Sequence, residues 1–146
     1  MSTPFSSDYW PSFPTLPVTF GVVGETPRIG PYGALLDTGA DMTLVPAEIL
    51  ESMQAQRLDD AELVTQWGEI HPVILYLVEV QVGPARLPGV FVAGDDSTTE
   101  IILGRNVLNK LPLFLDGPKE MTDVLDDAAA HRLRTRREST EEKRSA

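Results

Sequence analysis

The fold is decided by the stretch Ala34–Asp41, which reads ALLDTGAD. Its apolar start predicts a short buried strand, and Asp37 follows directly, in a turn formed by Thr38 and Gly39. A carboxylate fixed at the end of a buried strand is suited to acid–base catalysis, which needs two carboxyl groups close enough to share a proton. No second Asp-Thr-Gly or Asp-Ser-Gly occurs, and the run GDDST at residues 94–98 lacks the glycine of such a turn. We therefore expect the second carboxylate to come from another copy of the chain.

A second apolar run, Ile101–Leu108, reads IILGRNVL. Its glycine, Gly104, lies 67 positions after Asp37 and joins a predicted strand directly to a predicted helix. We expect the two apolar strands to lie side by side below the loop that carries Asp37, with Gly104 allowing two backbones to approach closely. Gly39 is expected to permit the sharp turn, and the Thr38 hydroxyl to fasten the loop to a symmetry mate.

The composition predicts one domain without a metal site. The chain has 146 residues, 42% of them hydrophobic, which is enough for one core and too few for two sizeable domains. A two-fold pair is then the natural way to double a site. There is no cysteine, and two histidines, His71 and His131, are too few for a histidine-based metal site. No signal-peptide pattern or membrane-spanning apolar run occurs, which predicts a cytoplasmic protein without membrane contact.

The charge is unevenly distributed along the chain. Residues 1–125 carry six basic and 17 acidic side chains, a net charge of −11, whereas residues 126–146 carry six basic and five acidic, a net charge of +1. An acidic body repels phosphate groups, so we expect no nucleic-acid binding by it. The arginines of the end segment fit either a solvated helix face or a docking surface for a partner.

Three segments are predicted. Residues 1–17 alternate prolines with aromatic residues and predict an extended arm, residues 18–118 a single domain, and residues 119–146 a charged tail. The arm is expected either to dock on the body or its groove and restrain activity, or to pack on its own domain or remain disordered. The tail charges are compatible with a solvated helix that gives way to a disordered end after Ser139.

Short β-type runs separated by Gly and Pro predict a mainly β domain. The predicted strands are Val18–Val23, Ala34–Leu36, Thr43–Val45, Leu63–Gln66, Val73–Val82, Leu87–Val92, Ile101–Leu103 and Leu113–Leu115. Short helices are predicted from Pro46 to Met53 and from Arg105 to Leu111, before Pro112.

The two glycine-containing runs, in this order and at this spacing, resemble the retropepsin-like aspartic proteases, homodimeric relatives of the pepsin-type enzymes. The resemblance covers about Leu16 to Pro118 and implies a small closed β-barrel-like fold with one or two short helices. It further implies an endopeptidase that hydrolyses extended peptide or protein substrates without a cofactor or metal. Two Asp37 carboxylates, one per subunit, would activate a water molecule at weakly acidic to near-neutral pH.

The same resemblance assigns roles to neighbouring residues. Thr38 would hydrogen-bond across the dimer beneath the site, Gly39 would meet the substrate backbone, and Gly104 would support the loop. Asp41 would contact the substrate main chain and form an ion pair with Arg105, although the two also fit a surface pair of little energetic value.

The flap of the family would be the hairpin from Leu63 to Val73. Trp67 and Gly68 at its tip would contact substrate, although Trp67 equally fits a packing role. This tip reads QWGE, with a single glycine where viral enzymes are glycine-rich, and a tail follows the domain where viral enzymes end in an interleaved dimer sheet.

Two other readings stay open from the sequence. One is a catalytically silent dimeric module of the same fold that binds extended peptides in its groove. The other is a protease released from a larger polyprotein encoded by a mobile element.

Overall fold

The computed structural model describes residues 1–145. The strands are β1 (Ser2–Pro4), β2 (Thr15–Gly21), β3 (Ile29–Leu36), β4 (Thr43–Pro46), β5 (Gln56–Val64), β6 (Ile70–Val82), β7 (Ala85–Asp95), β8 (Ile101–Leu103), β9 (Leu113–Asp116) and β10 (Met121–Val124). The helices are α1 (Ala47–Ser52), α2 (Arg105–Leu108) and α3 (Asp127–Ser145).

Six strands close into a barrel in the order β2-β3-β8-β4-β7-β6, because β6 also pairs with β2. The β3–β8 and β4–β7 pairs are parallel, and the other pairs of the barrel are antiparallel. Strand β5 extends the sheet beyond β6. The predicted mainly β, closed-barrel fold is thereby confirmed.

The alternation of side chains along β2 shows how the sequence builds the barrel core. Leu16, Val18 and Phe20 are fully buried, whereas the residues between them are partly exposed. Since successive side chains of a strand point to opposite faces, this pattern sends every second residue inward. Each such buried side chain contributes about 1.5–3 kcal/mol to stability.

A separate three-stranded sheet joins the two ends of the chain in the order β1-β10-β9. Ser2 pairs with Asp123 and Pro4 with Met121, so the start of the predicted arm lies beside the start of the predicted tail. The sequence did not predict β1 or β10, because their short polar runs gain strand structure from a pairing that is distant in sequence. The three-segment division itself stays a prediction.

The rest of the arm folds back and packs on its own domain. Ser6 and Phe13 exchange backbone hydrogen bonds of 2.8 and 3.0 Å, which close a loop. The backbone N–H of Leu36 then donates to the Pro14 carbonyl at 3.1 Å. The arm therefore runs directly beside the strand that ends at Asp37.

The helices differ from the prediction at their ends. Helix α2 stops at Leu108, three residues earlier than predicted, because the amides of Lys110 and Leu111 bond to carbonyls three residues back and tighten the chain into turns. Helix α3 continues past Ser139 to Ser145, so the predicted disordered end is wrong for the described residues. No helix within residues 1–145 has both the length and the apolar composition that a membrane crossing needs.

Candidate active site

Asp37 lies where two parallel strands end together. Strand β3 pairs with β8 so that Leu36 is opposite Leu103. The Asp37 backbone N–H continues this ladder by donating to the Leu103 carbonyl at 3.0 Å. The two apolar strands are thus adjacent, as the sequence predicted, and they fix the backbone of Asp37 at the edge of the core.

The turn after Asp37 holds its carboxylate. The Gly39 N–H donates to Asp37 Oδ1 at 2.9 Å, and the Ala40 N–H donates to the Asp37 carbonyl at 3.2 Å. A Cβ at Gly39 would lie 3.0 Å from Asp37 Oδ1. The φ angle of Gly39 is outside the left-handed region, so glycine is needed here for room beside the carboxylate rather than for the turn conformation predicted from sequence.

Gly104 marks a close crossing of two backbones. A Cβ at this position would come within 2.6 Å of the Met42 carbonyl group, a contact that only a backbone shift could relieve. Beyond the crossing, the Arg105 N–H donates to the Ala40 carbonyl at 2.8 Å. Any larger residue at Gly104 would therefore displace the loop that carries Asp37, which agrees with the supporting role predicted for it.

Thr43 and Asn106 connect this loop to α2, and sequence reasoning assigned them no role. Asn106 Oδ1 accepts from the Thr43 N–H at 2.9 Å and from the Thr43 hydroxyl at 2.8 Å. The Thr43 Oγ1 in turn accepts from the Gly104 N–H at 3.1 Å. The Asn106 Nδ2 donates to the Phe91 carbonyl at 2.7 Å, which ties β7 to the same network. The one signal in the sequence is Asn106 itself, a polar residue directly after the Gly-Arg pair.

The predicted ion pair between Asp41 and Arg105 is absent from the ion pairs formed within residues 1–145. The guanidinium of Arg105 instead donates from Nη1 to the Thr38 carbonyl at 2.8 Å. Both Asp41 and Arg105 are exposed to solvent, so water competes for their charges and leaves the carbonyl as the defined partner. Arg105 consequently clamps the Asp37 loop through the backbone of Thr38, whose side chain is exposed.

The flap region predicted from Leu63 to Val73 is part of a hairpin. Its strands are β5 and β6, and Val64 pairs with Ile70 at the end nearest the turn. Gly68 has φ +78°, a left-handed conformation that favours glycine in this turn. Trp67 beside it is 81% exposed, so it packs against nothing substantial in the single subunit.

The candidate site is centred on a single carboxylate. The chain presents Asp37, partly exposed, on a turn fixed by backbone bonds. Within residues 1–145, no cluster of three or more His, Cys, Asp or Glu side chains is arranged to hold a metal ion. General acid–base chemistry with water is what a pair of such carboxylates performs.

The sequence matches a family model of aspartyl proteases, and the fold resembles that of solved proteases. Residues 30–110 match the family model described as "gag-polyprotein putative aspartyl protease". The structure resembles the EIAV protease complexed with the inhibitor HBY-793, with a TM-score of 0.51 and 20% identity over 68% of this chain and 88% of that chain. It also resembles a retropepsin-like aspartic protease from Rickettsia conorii, with a TM-score of 0.56 and 14% identity over 84% of this chain and 86% of that chain. No curated protein matches the sequence. At these identities the likeness to solved structures concerns the fold.

Proposed function

The chain belongs to the retropepsin-like aspartic protease family, and from this premise we propose that it is a homodimeric aspartic endopeptidase. The observation that carries the proposal is the position of Asp37. Its carboxylate is partly exposed at the shared end of β3 and β8, and the Gly39 N–H holds one oxygen. A group fixed in this way can meet the same group of a second subunit across a two-fold axis.

In the dimer, one Asp37 is ionised and the other protonated, and a water molecule lies between them. The ionised carboxylate takes a proton from the water, whose oxygen forms a bond to the scissile carbonyl carbon while the protonated carboxyl group gives its proton to the carbonyl oxygen. The carboxyl group that took the proton from the water then gives it to the amine nitrogen as the C–N bond breaks. The other carboxylate takes a proton from a hydroxyl of the tetrahedral intermediate as the new carbonyl forms, which restores the starting pair. No covalent enzyme intermediate forms, and activity is expected at weakly acidic to near-neutral pH.

The residues around Asp37 bind and position the substrate in this proposal. The exposed Thr38 side chain hydrogen-bonds across the dimer beneath the site, and Gly39 and Asp41 contact the substrate main chain. The hairpin tip with Trp67 and Gly68 closes over the bound peptide, which would give the exposed indole the apolar contact that it lacks in the single subunit.

The three-stranded sheet supports the dimer part of the proposal. Strand β10 lies between β1 and β9, so β9 is an outer strand of this sheet. On β9, Phe114 and Leu115 are 48% and 49% exposed. An exposed apolar edge strand is a template for pairing with another chain, so we assign the β9 edge to contact its symmetry mate.

A subunit-mixing experiment tests the shared site. Wild-type chains and chains with Asp37→Asn are co-refolded at equal concentration, and peptide cleavage is measured against the wild type alone. The variant is nearly isosteric, so it should pair with wild-type chains, and only pairs of two wild-type chains have a complete site. Activity should therefore fall to about one quarter of that of wild-type protein at the same total chain concentration.

Two results would contradict the proposal. Activity that follows the wild-type concentration linearly would show that one chain suffices. Purified dimer that binds extended peptides without cleaving them would favour the alternative function, a catalytically silent peptide-binding module. Cytoplasmic location and the lack of nucleic-acid binding remain predictions from the sequence.

A further inference from the structure

A groove of about 350 Å³ lies between the folded arm and the barrel. Its floor includes Leu35 of β3 and Thr15 of β2, which are opposite each other in the antiparallel pair. One wall is formed by the arm residues Asp8 and Tyr9, and the facing wall by Glu100 just before β8. The groove therefore exists because the arm packs on its own domain.

The groove lies beside β3, the strand that leads to Asp37, and Leu35 of that strand is part of its lining. Leu35 precedes Asp37 by two positions, and side chains two apart on a strand point to the same face, about 6.5 Å from each other along the chain. Successive side chains of an extended peptide on one face have the same spacing. A peptide whose scissile bond lies at Asp37 can thus place a nearby side chain in the groove.

The lining of the groove carries negative charge. Asp8 and Glu100 contribute two carboxylates, and no Lys, Arg or His lines it among the described residues. The Tyr9 hydroxyl donates a hydrogen bond to Glu100 Oε1. This bond, together with slight burial, raises the pKa of Tyr9 above its usual value, so the phenol stays a neutral hydrogen-bond donor to Glu100.

The arm wall is held by several independent contacts. The rings of Tyr9 and Phe13 pack with centroids 5.5 Å apart, and Phe13 bonds to Ser6 through the backbone. Ser12 adds a hydrogen bond from its hydroxyl to the Glu120 carboxylate. The groove is consequently formed before any substrate arrives.

We propose that this groove is a side-chain subsite of the protease and that Asp8 and Glu100 select substrates with a lysine or arginine next to the cleaved bond. The proposal rests on the proposed function, because it places the groove beside a working Asp37 pair. The dimer has two such grooves, one on each side of the scissile bond. A long aliphatic stem fits over Leu35 while its cationic head reaches the two carboxylates.

The test uses peptides that differ at one position. Lysine or norleucine, its uncharged counterpart of similar length, is placed at each of the residues flanking the cleaved bond, and kcat/KM is measured. At one or more positions the wild type should prefer lysine by about fivefold to tenfold. The double variant with Asp8→Asn and Glu100→Gln should bring that ratio close to one. Glu142→Gln, an exposed carboxylate on α3, is the matched control and should keep the ratio.

Failure of this inference can be separated from failure of the proposed function. Cleavage with no lysine preference at any position, or a preference that survives the double variant, would overturn the subsite. If the wild type cleaves none of the peptides, the inference is tested by calorimetry, which measures the affinity of chains with Asp37→Asn for the same lysine and norleucine peptides. Tighter binding of the lysine peptide, lost with the double variant, supports the subsite, and equal or absent binding rejects it.

Discussion

Two buried threonines, Thr43 and Thr122, differ in whether their hydroxyls have hydrogen-bond partners. Thr43 and Thr122 are both fully buried. The hydroxyl of Thr43 has two partners, Asn106 and Gly104, at 2.8 and 3.1 Å. The hydroxyl of Thr122 has no hydrogen-bond partner within residues 1–145. A buried hydroxyl without a hydrogen-bond partner destabilises the folded state, whereas a buried hydroxyl inside a hydrogen-bond network stabilises it.

Valine at these two positions should therefore have opposite effects on stability. Thr122→Val is expected to raise the free energy of unfolding by about 1–2 kcal/mol, because it removes an unsatisfied group without changing the side-chain shape. Thr43→Val should lower it by about 1–3 kcal/mol, because the Gly104 amide loses its buried acceptor. Urea denaturation of both variants at one protein concentration measures the difference. A Thr43→Val variant as stable as the wild type would mean that the network below Asp37 does not stabilise the fold, and a destabilised Thr122→Val variant would contradict the cost assigned to its unpaired hydroxyl.

At the scale of elements, local sequence predicts the strands that are buried on at least one face. The runs before Asp37 and Gly104 were recognisable because each is apolar and leads into a turn that contains glycine. Strand β5 begins at Gln56, well before the predicted Leu63, because its first half is a charged, exposed edge whose strand structure depends on pairing with β6.

The sequence motif indicated the kind of chemistry at the candidate site, but it did not indicate most of the side-chain contacts there. The Asp-Thr-Gly turn made Asp37 the candidate catalytic residue, because the turn is built from consecutive residues. The hydrogen-bond partner of Arg105 could not be derived from the sequence. Its exposed side chain is flexible, and the conformation of the folded loop decides whether a carboxylate or a carbonyl lies within hydrogen-bond distance. The same holds for the groove beside the arm, whose walls at Asp8 and Glu100 are far apart in sequence.

The open edge at β9 yields a prediction about the dimer. Leu115 shares a sheet face with the buried Thr122 and is nevertheless 49% exposed, because no strand lies beyond it. Leu115→Lys should weaken dimerisation at least about tenfold, since a lysine on an edge strand opposes pairing with another edge. Sedimentation velocity over a dilution series measures the dissociation constant.

The control for this experiment is Leu133→Lys. Leu133 on α3 is 52% exposed, so the change adds the same charge at similar exposure away from β9. It should leave the dimer intact. Equal weakening by both variants would point to charge repulsion in general, and an unchanged dimer in Leu115→Lys would remove β9 from the interface.

At the scale of the whole molecule, the first and the last described segments differ in how they are packed. Strand β1 pairs with β10 inside a sheet, whereas every described residue of α3 from His131 onward is exposed. Removal of residues 131–146 should therefore shift the melting temperature by less than about 2 °C, because no apolar burial is lost. Removal of residues 1–5 deletes β1 and should lower it by at least about 5 °C. Differential scanning calorimetry compares the two truncations, and the opposite order would contradict the architecture.

The pairing of the first strand with one of the last has a consequence for the time course of synthesis. Ser2 and Asp123 contact each other across 121 positions. A ribosome adds about 5–20 residues per second, so the first strand emerges early and stays without a partner for several seconds. The barrel strands can meet while translation continues, but the sheet that offers the β9 edge is completed only when β10 has left the exit tunnel. The β9 edge that we propose for contact with a second copy is therefore completed later than the barrel.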